Sequence, residues 1–305
     1  MSRISGSSYA SKLMGRAGDG STLSIDFTTG VLDPRITFSR SDATPLATFV
    51  NSSGLVTTVA TAQAPRFDYD PTTIGTSRGL LIEQASTNVT KYSEKLNEVS
   101  VLNAWYGANL NTPTVPVGAP NSPYGTTSVS WKLVANTVNG FHGWRQTTTF
   151  TAENYTFSFW AKAAEYDRVI LSDLSNSRGA CTFVLTGNGT ATAIAGTVTP
   201  TNLTIVKYGD TGWYRCSFTM LMAANSIGWA IVGYPVGAST SASGASYTGD
   251  NVSGVYVTMV QVEVGSSASS YIPTVASPVT RAVDTAIIAA GSNFSSWYTG
   301  GTTGT

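Results

Sequence analysis

Tyr155–Ala163 reads Y-T-F-S-F-W-A-K-A, and with a period of two it separates into two sets. Tyr155, Phe157, Phe159 and Ala161 share one face; Thr156, Ser158, Trp160 and Lys162 share the other. One apolar face at that period marks a strand lying on a core. A strand this rich in rings needs a second layer of protein over it, which places it centrally in a packed β-sheet domain. Trp160 falls on the opposite face, where the spacing predicts an outward indole buried against a neighbouring subunit or offered to a ligand.

Similar short runs lie on either side. Upstream are Ser128–Val134 and Gly143–Phe150; downstream are Arg168–Asp173, Ala180–Thr186, Thr190–Val198, Leu203–Tyr208, Trp213–Met222, Gly228–Gly233 and Gly254–Val264. Turn residues separate them, and no long segment carries a 3.6 period. Many short strands with turns between them predict an all-β chain whose residues 91–282 form a jelly-roll β-sandwich. Lys91–Val99 reads as a short helix, followed by a proline-rich loop, N-T-P-T-V-P-V-G-A-P-N-S-P. Residues 22–90 are extended and β-rich but thin in aliphatic side chains, so they are expected to cover another surface rather than enclose a core. Residues 1–21 read as an N-terminal arm. Residues 283–305 read as one more strand, Thr285–Ala289, and a linker-like tail ending T-G-G-T-T-G-T.

Composition narrows the function. Charged residues are only 11% of the 305, against the usual quarter, and 17 Lys and Arg balance 17 Asp and Glu. No basic tract exists to neutralise phosphates, which argues against a nucleic-acid partner. No run approaches the ~18 apolar residues of a membrane-spanning helix, so no membrane insertion is expected. The opening M-S-R-I-S-G-S-S-Y-A has no apolar core of the signal-peptide kind. Cys181 and Cys216 each sit in a strand-like run and read as reduced core residues.

Little points to catalysis. His142 is the single histidine, which excludes multi-histidine metal sites, and no G-x-S-x-G elbow accompanies it. It reads as a turn or strand-edge residue. Glycoside hydrolysis needs two carboxylates across a cleft. Asp68 and Asp70 instead share one face of a strand and read as fixing a turn or pairing with Arg66 and Arg78. The expected reading is not an enzyme. Aromatic residues are the better site candidates, because sugars stack their C–H faces on indole and phenol rings. Trp105, Tyr106, Trp144, Arg145, Trp160, Trp229 and Tyr234 are the residues expected at a glycan-binding face or a subunit interface. A structural calcium, the one cofactor weighed, would draw oxygen ligands from Asp250 and Glu263.

A series of blocks then carries a resemblance. I-T-F-S-R-S-D-A-T (Ile36–Thr44), N-S-S-G-L-V (Asn51–Val56) and P-R-F-D-Y-D-P (Pro65–Pro71) come first. R-G-L-L-I-E-Q-A-S-T-N (Arg78–Asn88) and Y-S-E (Tyr92–Glu94) follow. After the aromatic strand come G-W-Y-R-C (Gly212–Cys216), V-Q-V-E-V-G with S-Y-I-P-T between Val260 and Thr274, and V-T-R-A-V-D (Val279–Asp284). In this order the blocks resemble virion appendage proteins of tailed bacteriophages, the tail-fibre and head-fibre type. The resemblance implies a jelly roll like that of carbohydrate-binding modules, with residues 22–90 serving as a virion-attachment region. It implies a structural virion protein, most simply a tail fibre or tail-associated adhesion protein, the alternatives being a capsid-decorating head fibre and a polysaccharide-depolymerising tailspike. Other copies in a homotrimer, other phage virion proteins and a host surface glycan are the implied partners. The implied place is the virion, assembled in the host cytoplasm. In similar proteins the N-F-S-S-W-Y block (Asn293–Tyr298) opens a further lectin-like domain, which is not expected in a chain ending at Thr305.

Overall fold

In the computed structural model the described residues are 8–10, 12–16, 22–97, 105–124, 130–174 and 177–288, with backbone alone for those up to 24 and for 226–227. The N-terminal part contributes β1 (Ser8–Ala10), β2 (Lys12–Arg16), β3 (Thr22–Asp26), β4 (Ile36–Ser39), β5 (Thr48–Val50), β6 (Val56–Thr58), β7 (Arg66–Tyr69), β8 (Ser77–Ile82) and β9 (Ser86–Asn88). The central part contributes β10 (Tyr106–Ala108), β11 (Trp131–Val134), β12 (Asn139–Phe150), β13 (Asn154–Ala163), β14 (Arg168–Asp173), β15 (Gly179–Val184) and β16 (Thr190–Ala195). It continues with β17 (Thr201–Lys207), β18 (Trp213–Leu221), β19 (Asn225–Tyr234), β20 (Ser239–Ser241), β21 (Gly244–Thr248) and β22 (Gly254–Val264). Two short strands come last among the described residues, β23 (Val279–Arg281) and β24 (Thr285–Ile288). One 3-10 turn, Phe27–Thr29, is the sole helical element among the described residues.

The chain is all-β. An eight-stranded sheet in the order β16-β15-β14-β19-β12-β21-β20, with β10 beside β12, faces a five-stranded sheet in the order β11-β22-β13-β18-β17. The chain crosses repeatedly between the two sheets, strand by strand from β11 to β14 and then after β16, β18 and β21, giving a jelly-roll sandwich. Phe157 and Phe159 of β13 are fully buried between the sheets, and Phe157 stacks on Phe218 of β18 with ring centroids 5.3 Å apart. Tyr155 and Ala161 point the same way, so the apolar face is the one the alternation predicts. In β22, Val255 and Val257 face this core, and so do Val260 and Val262. The parity changes because a bulge opposite Phe159 puts Met259 in the left-handed region, φ 50°, and absorbs one residue.

The other face of β13 departs from expectation. Thr156, Ser158 and Trp160 are all buried. Trp160 is covered by this chain's own N-terminal part, in a second cluster with Val50, Val56, Tyr208, Met259 and Tyr271. The segment 22–90 therefore forms a layer on the outer face of the five-stranded sheet, making the architecture three layers deep. The C-terminal segment belongs to that layer as well. β23 pairs with β9 and β24 pairs with β4, so the strand expected at Thr285–Ala289 is formed as far as Ile288 and residues 279–288 return to the N-terminal part. β1 and β2 likewise pair, with β8 and β3. The tail beyond 288 lies outside the described residues.

The helix expected over Lys91–Val99 is not formed at 91–97, which run as turns; 98 and 99 lie outside the described residues. The carbonyls of this segment are instead acceptors for indoles of the sandwich. Trp105, Trp131 and Trp144 donate their indole N–H groups to the carbonyl oxygens of Tyr92, Glu94 and Leu96, at 3.1, 2.6 and 2.7 Å. Tyr92 also lies in the left-handed region, φ 51°, which a helix does not admit.

Candidate functional site

The sequence blocks converge in space on the junction between the covering layer and the sandwich. Three arginines and their acidic partners, all buried, meet there. Arg66 donates to Glu83 Oε2 at 2.6 Å, to the Thr48 carbonyl at 2.9 Å, to Ser270 Oγ at 2.6 Å, and to Asp284. Arg40 lies 2.9 Å from both Asp284 Oδ1 and Asp42 Oδ2 and also donates to the carbonyls of Ala62 and Ala64. Arg281 lies 3.4 Å from Glu83 and 3.8 Å from Asp284. Burial pulls the Arg281 guanidinium below its ordinary range, with Glu83 and Asp284 opposing. At Arg66 burial acts the same way, but the two carboxylates outweigh it and its range is raised. Charges this deep persist because each is paired and hydrogen-bonded.

Beside the arginines runs a neutral polar seam. Asn88 takes the N–H groups of Thr90 and Val262 on Oδ1 and donates to the Ile272 carbonyl. Gln261 accepts from Ile272 N–H and donates to Glu263. Glu263, expected as a calcium ligand, instead receives Gln261, Ser86 and both donors of Ser269. Asp250 caps a turn by accepting from the backbone of Val252 and Ser253 and from Ser253 Oγ. The two carboxylates lie toward opposite ends of β22 and its preceding turn, on the order of 30 Å apart at strand rise. They do not form one site, and among the described residues no group of three or more His, Cys, Asp or Glu is placed to hold a metal ion. Asp70 pairs with Arg78 as the spacing suggests, but Asp68 accepts the Val50 N–H and Arg66 goes to Glu83 and Asp284.

Most of the expected aromatic residues are not available as stacking platforms. Trp105, Trp144, Trp160 and Trp229 are each at most 2% exposed, and Trp105 meets Trp229 edge-on at 5.3 Å inside the core. Trp229 donates to Thr148 Oγ1. Tyr234 is buried on the outer face of the eight-stranded sheet. The β20–β21 hairpin folds over that face, and Tyr247 donates its hydroxyl to the Gly233 carbonyl. Phe141 completes the cover: a Cβ on Gly143 or Gly244 would come within 2.6 or 2.5 Å of its ring, so only glycine leaves it room. His142 is buried in β12, with Nδ1 2.6 Å from the Asn109 carbonyl and Nε2 2.9 Å from that of Tyr247. It is an interior residue, not the turn or edge residue expected.

Two of the seven remain accessible, and they are cross-strand partners. Tyr106 of β10 is 37% exposed and sits opposite Arg145 of β12. The Arg145 guanidinium lies 4.5 Å from the Tyr106 ring centroid, and Tyr106 Oη is 3.3 Å from Thr147 Oγ1. Arg145 Nε makes no hydrogen bond. The patch thus presents a ring backed by a cation and a hydroxyl pair.

No family profile and no curated protein matches this sequence. Among solved structures, the chain is similar to the CBM22-1 xylan-binding domain of Paenibacillus barcinonensis Xyn10C. That match has 11% identity and a TM-score of 0.31, covering 60% of this chain and 94% of that one. It is also similar to the enzymatically active domain of tailspike protein 4 of bacteriophage CBA120, at 14% identity and TM-score 0.29. There the match spans 57% of this chain and 21% of that chain. A third is TmCBM61 in complex with β-1,4-galactotriose, at 12% identity and TM-score 0.24, covering 48% of this chain and 99% of that one.

Proposed function

We propose that this chain is a structural, non-enzymatic virion protein of a tailed bacteriophage, a tail fibre or tail-associated adhesion protein whose sandwich presents a glycan-contacting patch. The observation that carries the reading is where the resembling blocks lie. Arg40 and Asp42, Arg66, Glu83 and Asn88, Gln261 and Glu263, Ser270 and Tyr271, and Arg281 and Asp284 come from six blocks and build one buried junction. The resemblance therefore follows the residues that weld two layers together. A chain selected for rigid display has reason to keep such a weld, and its acids are engaged in ion pairs rather than aimed across a cleft. Copies would assemble as a homotrimer on the particle in the host cytoplasm. Tyr106 and Arg145 supply the stacking face for a host surface glycan.

Two experiments test this. Mass spectrometry of purified particles from cells carrying the gene should find the chain in the particle fraction; recovery only in the soluble lysate would overturn the virion assignment. A glycan array probed with the full chain should show retention that Tyr106→Ala and Arg145→Ala each abolish without changing thermal stability. Retention unaltered by both would remove the patch from the reading.

A further inference from the structure

Among the arginines whose side chains are described, Arg145 alone finds no acceptor in the chain. Every other one meets a carboxylate, as Arg35 and Arg78 do, or a backbone carbonyl, as Arg178 and Arg215 do. The Arg145 guanidinium has no ion pair and donates no hydrogen bond; what it touches is the Tyr106 ring, 4.5 Å from its centroid. Its Nε is buried, but its two Nη groups are not. They form the end of a planar fork that matches two oxygens of one oxyanion.

Water solvates many surface cations, and three features set this one apart. Charged residues are only 11% of the chain, so Arg145 is not one of a crowd that keeps the surface wet. The side chain is half-buried and stacked on its cross-strand partner, so its fork is already oriented and loses little freedom on binding. The hydroxyls nearest to it, of Tyr106 and Thr147, face each other at 3.3 Å and give it no bond. A neutral sugar hydroxyl would offer such a fork a single uncharged acceptor. A carboxylate offers both Nη groups a charged oxygen, with bonds roughly twice as strong. A phosphate monoester does so too, but it brings a charge of about −1.5 to −2 against the one cation of the patch.

We propose that the glycan taken by this patch is acidic: the sugar residue resting on Tyr106 bears a carboxylate, which Arg145 binds through its two Nη groups. The inference rests on the reading of the patch as a glycan site and adds the charge of its ligand. Tyr106 is then the platform and Arg145 the specificity-determining residue. A hexuronate fits both, because its carboxylate is attached directly to the ring that stacks.

The test is an array of uronate oligosaccharides, each printed beside its carboxyl-reduced twin, in which the acid has become a neutral primary alcohol. Neutral glycans bearing a phosphate monoester form a third set. The full chain is applied at low and at high salt. At least one uronate should be retained about tenfold more strongly than its twin, as a charged acceptor in place of a neutral one predicts, and salt should narrow the difference. Arg145→Gln should bring that ratio to about one with thermal stability unchanged, while Arg145→Lys, which keeps the charge and loses the fork, should leave a smaller preference. The twin comparison itself needs no variant. Twins retained equally would overturn the acidic ligand and leave standing a glycan patch that Tyr106→Ala abolishes. Stronger retention of the phosphate set would overturn the carboxylate, and a preference that survives Arg145→Gln would overturn the role of Arg145. Retention of no member at all would remove the glycan reading and this inference together.

Discussion

Asp284→Asn is the substitution that most directly probes the buried junction. Asparagine keeps the shape, so no cavity opens, but the charge goes and one oxygen becomes an NH2 donor. Asp284 accepts from Arg40 Nη1 at 2.9 Å, from Arg66 Nη2, and from the Glu83 backbone N–H at 2.9 Å. With Glu263 satisfied by neutral donors, three guanidiniums face Asp42, Glu83 and Asp284 as three carboxylates. The substitution leaves one buried positive charge uncompensated and turns a donor toward a guanidinium. Two charge-assisted bonds at about 1.5–3 kcal/mol each, less what the remaining amide oxygen recovers, come to roughly 3–5 kcal/mol. That is also the cost of breaking a buried pair from one side. At about 1.6 °C per kcal/mol for a chain of 305 residues, the melting temperature should fall by roughly 5–8 °C. Urea unfolding followed by tryptophan fluorescence is the assay, since Trp160 lies under the layer that would loosen. A loss below about 1 kcal/mol would refute the argument, because it would mean that the junction's charges are no better paired than in water.

Other outcomes follow from single sites. Gly254→Ala should destabilise by about 1–3 kcal/mol, because its Cβ would lie 2.1 Å from the Leu133 carbonyl oxygen on the paired strand; unchanged denaturant midpoints would contradict that close approach. Cys181 and Cys216 are free and buried, and burial pushes the Cys181 thiol up to about 12 and Cys216 upward too. A thiol reagent at pH 8 should label neither in the folded chain and both in denaturant. Burial tends to raise the Asp70 carboxyl, but donors from Thr72, Arg78 and Thr73 outweigh it and hold it at about 2. A depressed carboxyl stabilises the fold above its unfolded value of ~3.9 and loses that contribution as pH falls toward 2. Asp70→Asn should flatten the pH dependence of stability between about 4 and 2, and an unaltered profile would count against it.

The sandwich was legible because its signal is periodic. β13, β14 and β22 fall on the runs marked by alternation, and the face carrying Phe157 and Phe159 is the core face. The β20–β21 hairpin was not legible, since G-A-S-T-S-A-S-G-A-S-Y-T carries little apolar alternation and owes its place to Tyr247 and Ala245 packing on Ile170 and Val232. That residues 22–90 cover a surface was expected, but which surface was not legible. Trp160 sits among alternating residues whichever side is wet, and only a third layer decides its burial. The site was legible in part: the patch of Tyr106 and Arg145 lay among the residues singled out, while their tryptophan companions turned inward to tie down loops. The junction was missed, although a clue was present. In a chain with 11% charged residues, Arg and Asp or Glu recur inside strand-like blocks, where an unpaired charge could not be kept.

The ion pair between Arg40 and Asp284 joins residues 244 positions apart. During synthesis at about 5–20 residues per second, Arg40 waits on the order of 12–50 s before its partner exists. Through that interval the covering layer has neither β23, β24 nor the carboxylate that balances it, and its arginines remain hydrated. The central pairings of the sandwich, β13 with β22 and β12 with β19, also join segments far apart in sequence, and β22 ends at Val264, shortly before Asp284. The first-made segment can therefore complete its docking only when the last-made strands are present, which ties both ends of the described chain to one closing step.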